Sequence, residues 1–523
     1  MAKYIIKRFL HGLLSVIAVV LIVMFLIYSV MDRNLIFAQD PTFSHLNNNS
    51  KQIYKYSKWE EYGYLDYVSF VDYLNEVERS GEINQDKKAE IALIGRTESM
   101  DTAEQKKYIN DFSNVYENKG YKIIRLDAIM SNGKKVADGG SPQLFAVKDE
   151  FVLVRLIEYL KGLITTDDIN YAENIVGERG ITFTLHDPLY GGDKFAPAII
   201  GNGTEHKYLL YFDSQFPYIH QNVVQLHLGL SYSVNRGVDV FDTMTQSQGR
   251  YVKSLITYPT GLQDERADDL HTARYIKGSL NTVATYKDRF VDDYTSVITT
   301  KNNLSKMGFS FGIGIISVML SYLIGIPVGI AQARKKDSLI DKIGSIYIVF
   351  IIAVPSLAYI FLFKAIGGLI GLPTTFDMSS NNKLMYVLPI ISLSLPSIAT
   401  LMKWLRRYMI DQMNSDYVKF ARSSGLTENE IFTNHILKNA IIPIVHNIPA
   451  DIIFALTGAI ITERVYVVPG AGNLLTTAIN NYDNGVIVGV TLFYAFLSVV
   501  SIILGDVLMS LIDPRISFTE KDR

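Results

Sequence analysis

The chain has 523 residues, 48% of them hydrophobic, with 50 Lys and Arg against 52 Asp and Glu and no cysteine. A cysteine-free chain has no disulfide, no Cys-ligated zinc and no thiol nucleophile. Residues 32–305 hold 30 Lys and Arg against 38 Asp and Glu, a net of −8, and the rest hold 20 against 14, a net of +6; an acidic middle between basic flanks excludes a nucleic-acid-binding domain.

A bilayer-spanning helix needs about 20 mostly apolar residues. The first such run is GLLSVIAVVLIVMFLIYSV, residues 12–30, preceded by Lys3, Lys7 and Arg8. It is longer than the apolar core of a signal peptide and lacks a small-residue cleavage site, so it reads as a retained span with its N-terminus inside. Residues 32–305 contain no second span. Within them KAEIALIG (88–95) and YKIIRLDAIM (121–130) read as strands. The stretch 101–118 between them reads as a helix with Asp101 as N-cap and Glu104 completing a capping box, and 150–164 has helical periodicity. Ser141-Pro142, Gly191-Gly192 and Gly201-Asn202-Gly203 read as loops. Five further spans follow at 307–333, 343–363, 385–402, 441–461 and 486–512. Six crossings return the C-terminus to the inside and put Arg334-Lys335-Lys336 and Lys403, Arg406, Arg407 there as well, in agreement with the positive-inside rule. The expected architecture is an α-helical integral membrane protein with six transmembrane helices. Span 1 occupies 1–31, an α+β extracellular domain 32–305, and a core with the five remaining spans 306–523.

Chemistry is sparse. The nine histidines show no metal-ligand spacing. GAGNLLTT at 470 lacks the lysine of a phosphate-binding loop, and no GxSxG occurs. No enzyme is expected within the chain. The informative segment is the inside loop at about 415–441. Asp416 can cap a helix whose apolar positions are Tyr417, Phe420 and Ala421. Gly425 can take the left-handed conformation that ends it. Thr427 with Glu430 opens a second helix, striped by Ile431, Phe432 and Ile436, with Lys438 near its end. A hairpin on the membrane surface and a docking element for a soluble partner both fit this pattern.

DYVKFARSSGL (416–426) followed by NHILKNAIIPIV (434–445) resembles the loop by which permeases of ABC importers seat in a groove of their ATPase, in the form found in peptide permeases. Asp416, Ala421, Gly425, His435, Asn439 and Pro443 match that pattern. Lys419-Phe420 stand where the wider family has Glu-Ala, and Leu426 closes the first motif. IPVGIAQARKKDSLID (326–341), ITERVYVVPGAGNLLTTAI (461–479) and GDVLMSLIDPRI (505–516) match further family segments in order, covering about 220 C-terminal residues. KYLLYFDSQFPYIHQN (207–222) resembles the Gram-positive oligopeptide permease B-type subunit with an enlarged outer domain, and LHLGLSYS (226–233) resembles the shorter GDLGxSY of the wider family, with His227 in place of its Asp.

The resemblance implies a type I ABC importer permease in a bacterial cell membrane, with both termini cytoplasmic. It implies a sister permease, two ATP-binding subunits that carry ATP and Mg, an extracellular peptide-binding lipoprotein and a peptide substrate; membrane lipid surrounds the spans. It places Asp416, Lys419, Phe420, Ala421, Gly425, Leu426, His435, Asn439 and Pro443 at the ATPase contact, and Glu463, Pro469, Gly470 and Gly472 near an outer gate. Asp451, Ser356 and Tyr359 are candidates for the substrate path. A helix–helix hydrogen bond is the alternative for Asp451, and close helix packing for Ser356, Ser392, Ser394 and Ser397. Asp506 serves either a basic partner near the cytoplasmic end or substrate. Pro355, Pro389 and Pro396 are expected to kink their spans. A peptide-sensing receptor, a secondary transporter, and an ABC permease for dipeptides or nickel complexes remain as alternatives.

Overall fold

The computed structural model describes residues 2–46, 48–126, 130–131, 134–135, 143–166, 180–186, 195–202, 208–211, 224–270, 274–275, 288–290, 295–380 and 382–512. The chain packs as two compact units. One comprises residues 21–162 with 481–485, and the other 1–20, 163–480 and 486–523.

Four described helices are long and apolar enough to cross a membrane: Tyr4–Val30, Lys306–Arg334, Lys383–Met413 and Asn484–Ile512. Two bent pairs bring the number to six if each is one span. Leu339–Ala353 with Ser356–Leu369 bends by 112°, and Glu428–His446 with Ile448–Tyr466 by 40°. The expected kink at Pro355 is thus a near-perpendicular break. Proline lacks the N–H that would continue the helix, and the residue before it, Val354, is extended. Pro389 sits in the first turn of its helix, where the missing N–H matters little, whereas Pro327 and Pro396 are interior.

In the unit built on residues 21–162, α1 (Ala2–Phe25) ends in a wide turn, Leu26–Val30. Strands β1 (Leu65–Ser69), β2 (Lys122–Leu126) and β3 (Gln143–Asp149) form an antiparallel sheet in the order β1-β3-β2. Helices α2 (Phe70–Arg79), α3 (Gln85–Ala92) and α4 (Ala103–Asn118) bury Phe70, Leu74, Ile91, Phe112 and Tyr116 against Leu144 and Ala146 of β3. Helix α5 (Val152–Gly162) follows the sheet.

Two expectations need correction here. Residues 88–95 do not form a strand. The Asn84 side chain accepts from the Lys87 N–H and starts α3, whose Ile91, with Ile94 three residues on, points into the core. The capping box of α4 is Thr102 with Gln105, one residue beyond the expected pair. Asp101 instead accepts from the Gly95 N–H at 2.6 Å and pairs with Arg125 at 2.8 Å.

In the other unit, residues 163–305 are β-rich. Gly180–His186, Phe195–Asn202 and Tyr208–Tyr211 form an antiparallel sheet, and Ser247–Tyr251 pairs with Lys301–Ser305. Gly201-Asn202 closes a strand rather than making a loop. Ser141-Pro142, Gly191-Gly192, Gly203 and residues 212–222 lie outside the described residues. After Ser305 the α-helices are α6 (Lys306–Arg334), α7 (Leu339–Ala353), α8 (Ser356–Leu369), α9 (Val387–Met413), α10 (Asp416–Ser423), α11 (Glu428–His446), α12 (Ile448–Tyr466), α13 (Ala471–Asn480) and α14 (Asn484–Ile512). Small residues let α6 and α9 approach closely. A Cβ at Gly325 would lie 2.9 Å from Leu401, and one at Gly329 would lie 3.3 Å from Leu405. At the other end of the chain, Tyr4 and Arg8 each donate to Asp506 at 3.0 Å, so this carboxylate has the basic partner the sequence allowed.

Candidate functional site

Helix α10 is short and begins at Asp416, whose N-cap is Ser415. Asp416 is therefore the first helical residue and not the cap. Its exposed carboxylate meets Lys419 Nζ at 2.8 Å, which holds it below the usual carboxylate range. The helix ends in a Schellman motif. The Leu426 N–H reaches the Ala421 carbonyl at 3.3 Å, and the Gly425 N–H reaches Arg422 at 3.1 Å. Gly425 has φ +83°, the left-handed conformation its residue type favours. Arg422 then bridges to Glu428 at 2.8 and 3.2 Å, tying the end of α10 to the start of α11. Thr427 and Glu430 form the expected capping box.

The buried side of α10 is Val418 and Ala421, with Tyr417 packed partly behind them. Phe420 is not on that side; it is 74% exposed. Helix α11 does not end near Lys438. Its residues Ile431–Leu437 are π-helical, and it continues to His446 with Pro443 in its interior. Ile431, Phe432 and Ile436 join Val418 and Ala421 in a single cluster with Ala333 of α6 and Leu401, Leu405 and Met409 of α9. The Tyr417 hydroxyl donates to Gln412 Oε1 at 2.6 Å and to the His435 carbonyl at 3.4 Å. His435, Asn439 and Pro443 are half-buried along α11.

Three contacts at this end of the bundle were not singled out by sequence. Arg334 lies over the Phe432 ring at 5.3 Å and donates to Asn429. Arg406 grips Asp341 with two bonds, at 2.6 and 2.8 Å. Gln332, fully buried, donates to the Asp341 carbonyl at 3.3 Å. The only sequence signal for the ion pair is a basic cluster that also serves topology.

The second group of expected residues lies at the α12–α13 junction. Glu463 is buried in the last turn of α12, not in a loop outside it. Its carboxylate accepts from Ser310 Oγ at 2.5 Å and from the Asn473 N–H at 2.9 Å, and Ser310 accepts from the Ala471 N–H at 2.8 Å. Glu463 and Ser310 together satisfy N–H groups at the start of α13, where a helix has no internal acceptors and favours negative charge. Gly470 and Gly472 are there because the carboxylate fills the adjoining space. A Cβ on Gly470 would lie 2.3 Å from Glu463 Cδ, and one on Gly472 would lie 2.7 Å from Ile460. Pro469 is half-buried between them and Val468. Val467 takes the left-handed exit from α12 at φ +58°.

The path candidates do not converge on one cavity among the described residues. Asp451 is half-buried and accepts from the Tyr322 hydroxyl at 2.7 Å, the helix–helix bond named as its alternative. Tyr359 is 5% exposed in the bundle core, and Ser356 is a half-buried residue opening α8. Ser392 shares a 2.8 Å hydrogen bond with Tyr466.

A family model described as the inner membrane component of binding-protein-dependent transport systems matches residues 325–518. That range contains α10, α11 and the α12–α13 junction; the Asp513–Ile516 end of its closing motif lies outside the described residues. The oligopeptide transport system permease protein AmiC of Streptococcus pneumoniae is 33% identical over 531 residues, an alignment that takes in 100% of this chain and 99% of AmiC. The chain belongs to the oligopeptide permease family of ABC importers. The dipeptide transport system permease DppB of Lactococcus lactis subsp. cremoris is 31% identical over 217 residues, 40% of this permease and 69% of its own length. DppB of Bacillus subtilis is 26% identical over 224 residues, 42% of this permease and 72% of its own. The likeness to AmiC therefore runs through the long middle of the permease, which the alignments with the shorter relatives do not span. Relatives of this kind are transport subunits, and the permease shares their multi-pass membrane character.

Proposed function

We propose that this permease forms half of the translocation path of an ATP-driven oligopeptide importer, with α10 as its contact to an ATPase. It crosses the membrane six times with both termini cytoplasmic, and residues 32–305 face outward. A sister permease completes the path, two partner subunits bind ATP and Mg, and an extracellular lipoprotein delivers peptide. The observation that carries this reading is the form of α10. It is a two-turn helix seated by Val418 and Ala421 on the ends of α6, α9 and α11, closed by Gly425, and presenting the Phe420 ring uncovered. A large exposed aromatic on a firmly seated short helix suits insertion into a pocket of a soluble partner. Movement of the partner pushes α10. Because Val418, Ile431, Ala333 and Leu405 form one packed body, the push reaches α6 and α9 as a rigid displacement. The α12–α13 junction, clasped by Glu463, is the element that opens or closes the other side.

The chain has no cysteine, so Phe420→Cys supplies a unique crosslinking site. Crosslinking in native membranes is expected to capture an ATP-binding subunit. Capture of lipid alone would return α10 to a surface hairpin.

A further inference from the structure

Helix α5 buries its arginine beside Leu156 and leaves most of its other large apolar side chains exposed. Arg155 is 8% exposed, while Phe151 just before the helix is 67% exposed, Leu153 47%, Val154 41% and Ile157 51%. A cation is normally the last group to be buried and an aliphatic side chain the first. The order inverts where the medium outside the protein is hydrocarbon.

Arg155 is held in place by aromatic faces. Its guanidinium lies 4.8 Å from the Tyr28 ring and 5.4 Å from the Tyr64 ring, and Nη2 donates to the Tyr64 carbonyl. Its Nε and Nη1 are buried with no hydrogen-bond partner among the described residues. Tyr28 belongs to the last turn of the first span, so this contact fixes α5 at the depth where that span leaves the hydrocarbon. Arg33, three residues beyond the span, stacks on Trp59 with its guanidinium 4.1 Å from the ring, and pairs with Asp149 at 2.5 Å. Aromatic rings with basic groups at a span end mark the membrane–water boundary.

A cleft of about 600 Å³ opens between the two helices. Leu21, Phe25 and Met31 line one wall and Phe151 and Leu153 the other, with Arg33, Asp149, Glu150 and Arg155 also in the lining. The first wall continues the surface that a spanning helix turns to lipid, where Phe25 and Leu26 are each 52% exposed and Val30 is 70% exposed. The exposed side of α5 also carries Glu158 and Lys161, whose stems can lie along the apolar surface while their charges reach water.

We propose that α5 is an interfacial membrane helix. Its Phe151, Leu153, Val154 and Ile157 lie in the leaflet at the C-terminal end of α1, and a phospholipid acyl chain fills the cleft. The unit formed by residues 21–162 is then held to the bilayer surface by a second contact besides its covalent continuation into the span. The segment acts in the plane of the membrane and adds no crossing, since eleven residues are too few to span.

The absence of cysteine makes the test direct. Val154→Cys, Ile157→Cys and, as an aqueous reference, Leu93→Cys (76% exposed in the native chain) are nitroxide-labelled in the full-length chain reconstituted in phospholipid vesicles. Collision rates with oxygen and with a water-soluble nickel chelate are then compared. At 154 and 157 the oxygen-to-nickel ratio is expected to exceed that at 93 several-fold. A ratio equal to that at 93 overturns the proposal, because the face is then in water. Low rates with both reagents also overturn it, because a protein surface then covers the face. A lipid spin-labelled along its chain provides a second readout, with broadening expected at 154 and 157 and none at 93.

Discussion

Gly425 and Val467 both leave a helix through the left-handed region, at φ +83° and +58°, and the two positions predict opposite outcomes. For an L-residue that conformation costs roughly 1–2 kcal/mol, which glycine avoids. Gly425→Val is expected to abolish peptide uptake while leaving insertion intact; normal uptake in that variant would sink the coupling role of α10. Val467→Gly should instead raise the melting temperature in detergent, and a lowered one would show that the valine side chain is needed more than the strain costs. At Gly470 the constraint is space. Gly470→Ala drives a methyl group into the Glu463 carboxylate, an overpacking cost of about 1–3 kcal/mol. Gly312→Ala, inside α6 where the added atom meets nothing within 4 Å, is the control and should melt no lower than the parent, since alanine is favoured over glycine inside a helix. The Asp341–Arg406 pair is asymmetric in burial, with side chains 5% and 28% exposed. Arg406→Ala leaves the buried carboxylate with only the Asp337 N–H, at 3.0 Å, as a direct donor, at a cost of about 3 kcal/mol. Asp341→Asn in the same chain should recover much of it, as read by thermal unfolding of the purified protein. At this scale, local signals were legible where the partner lies within one turn, as for Thr427 with Glu430. They slipped by one residue at Asp101, because its carboxylate is taken by Arg125, 24 positions away, and no local pattern announces that.

Helices α10 and α11 illustrate what element-level reading reaches. Periodicity placed a helix at 416 and capping chemistry placed its end and the next start. The side that faces inward was misassigned, since Phe420 and Val418 are both apolar and only the bulk of α6 and α9 decides which is covered. With Phe420 exposed, Phe420→Ala is expected to change thermal stability by no more than about 0.5 kcal/mol while lowering peptide-stimulated ATP hydrolysis in the assembled transporter. A loss of stability as large as the loss of coupling would make Phe420 a packing residue. The spans show the same limit. Hydropathy located each apolar run, but residues 343–363 break by 112° at Pro355, and 428–446 run into Ile448–Tyr466 across a 40° bend. Composition measures affinity for hydrocarbon and carries no information on axis direction. Residues 88–95 reversed type for a related reason: in an eight-residue segment with its apolar residues clustered at one end, helix and strand periods both fit, and the choice falls to Asn84 as cap and to the core that accepts Ile91 and Ile94.

On the scale of the whole molecule, residues 32–305, a single acidic segment in the sequence, divide at Gly162–Leu163 between two packing units. A truncation within that segment is therefore best confined to one unit. Replacing residues 39–161 by a short Gly/Ser linker is expected to leave the remaining chain inserted and able to bind ATPase subunits. It should weaken docking of the binding lipoprotein, measured as affinity for the purified lipoprotein in nanodiscs; undiminished affinity would make that unit a bystander in delivery. The sequence by itself determined that the chain is a multi-pass permease and, to within a residue, where the short helix α10 lies. Those properties rest on composition and on contacts between near neighbours, and both are written along the chain. Only the tertiary structure decided that Glu463 closes the start of α13 through Ser310, that Asp341 belongs to Arg406, that Phe420 is the ring left uncovered, and that α5 turns its apolar side outward with its arginine within. Each depends on which distant surfaces meet, and packing, not local preference, settles that.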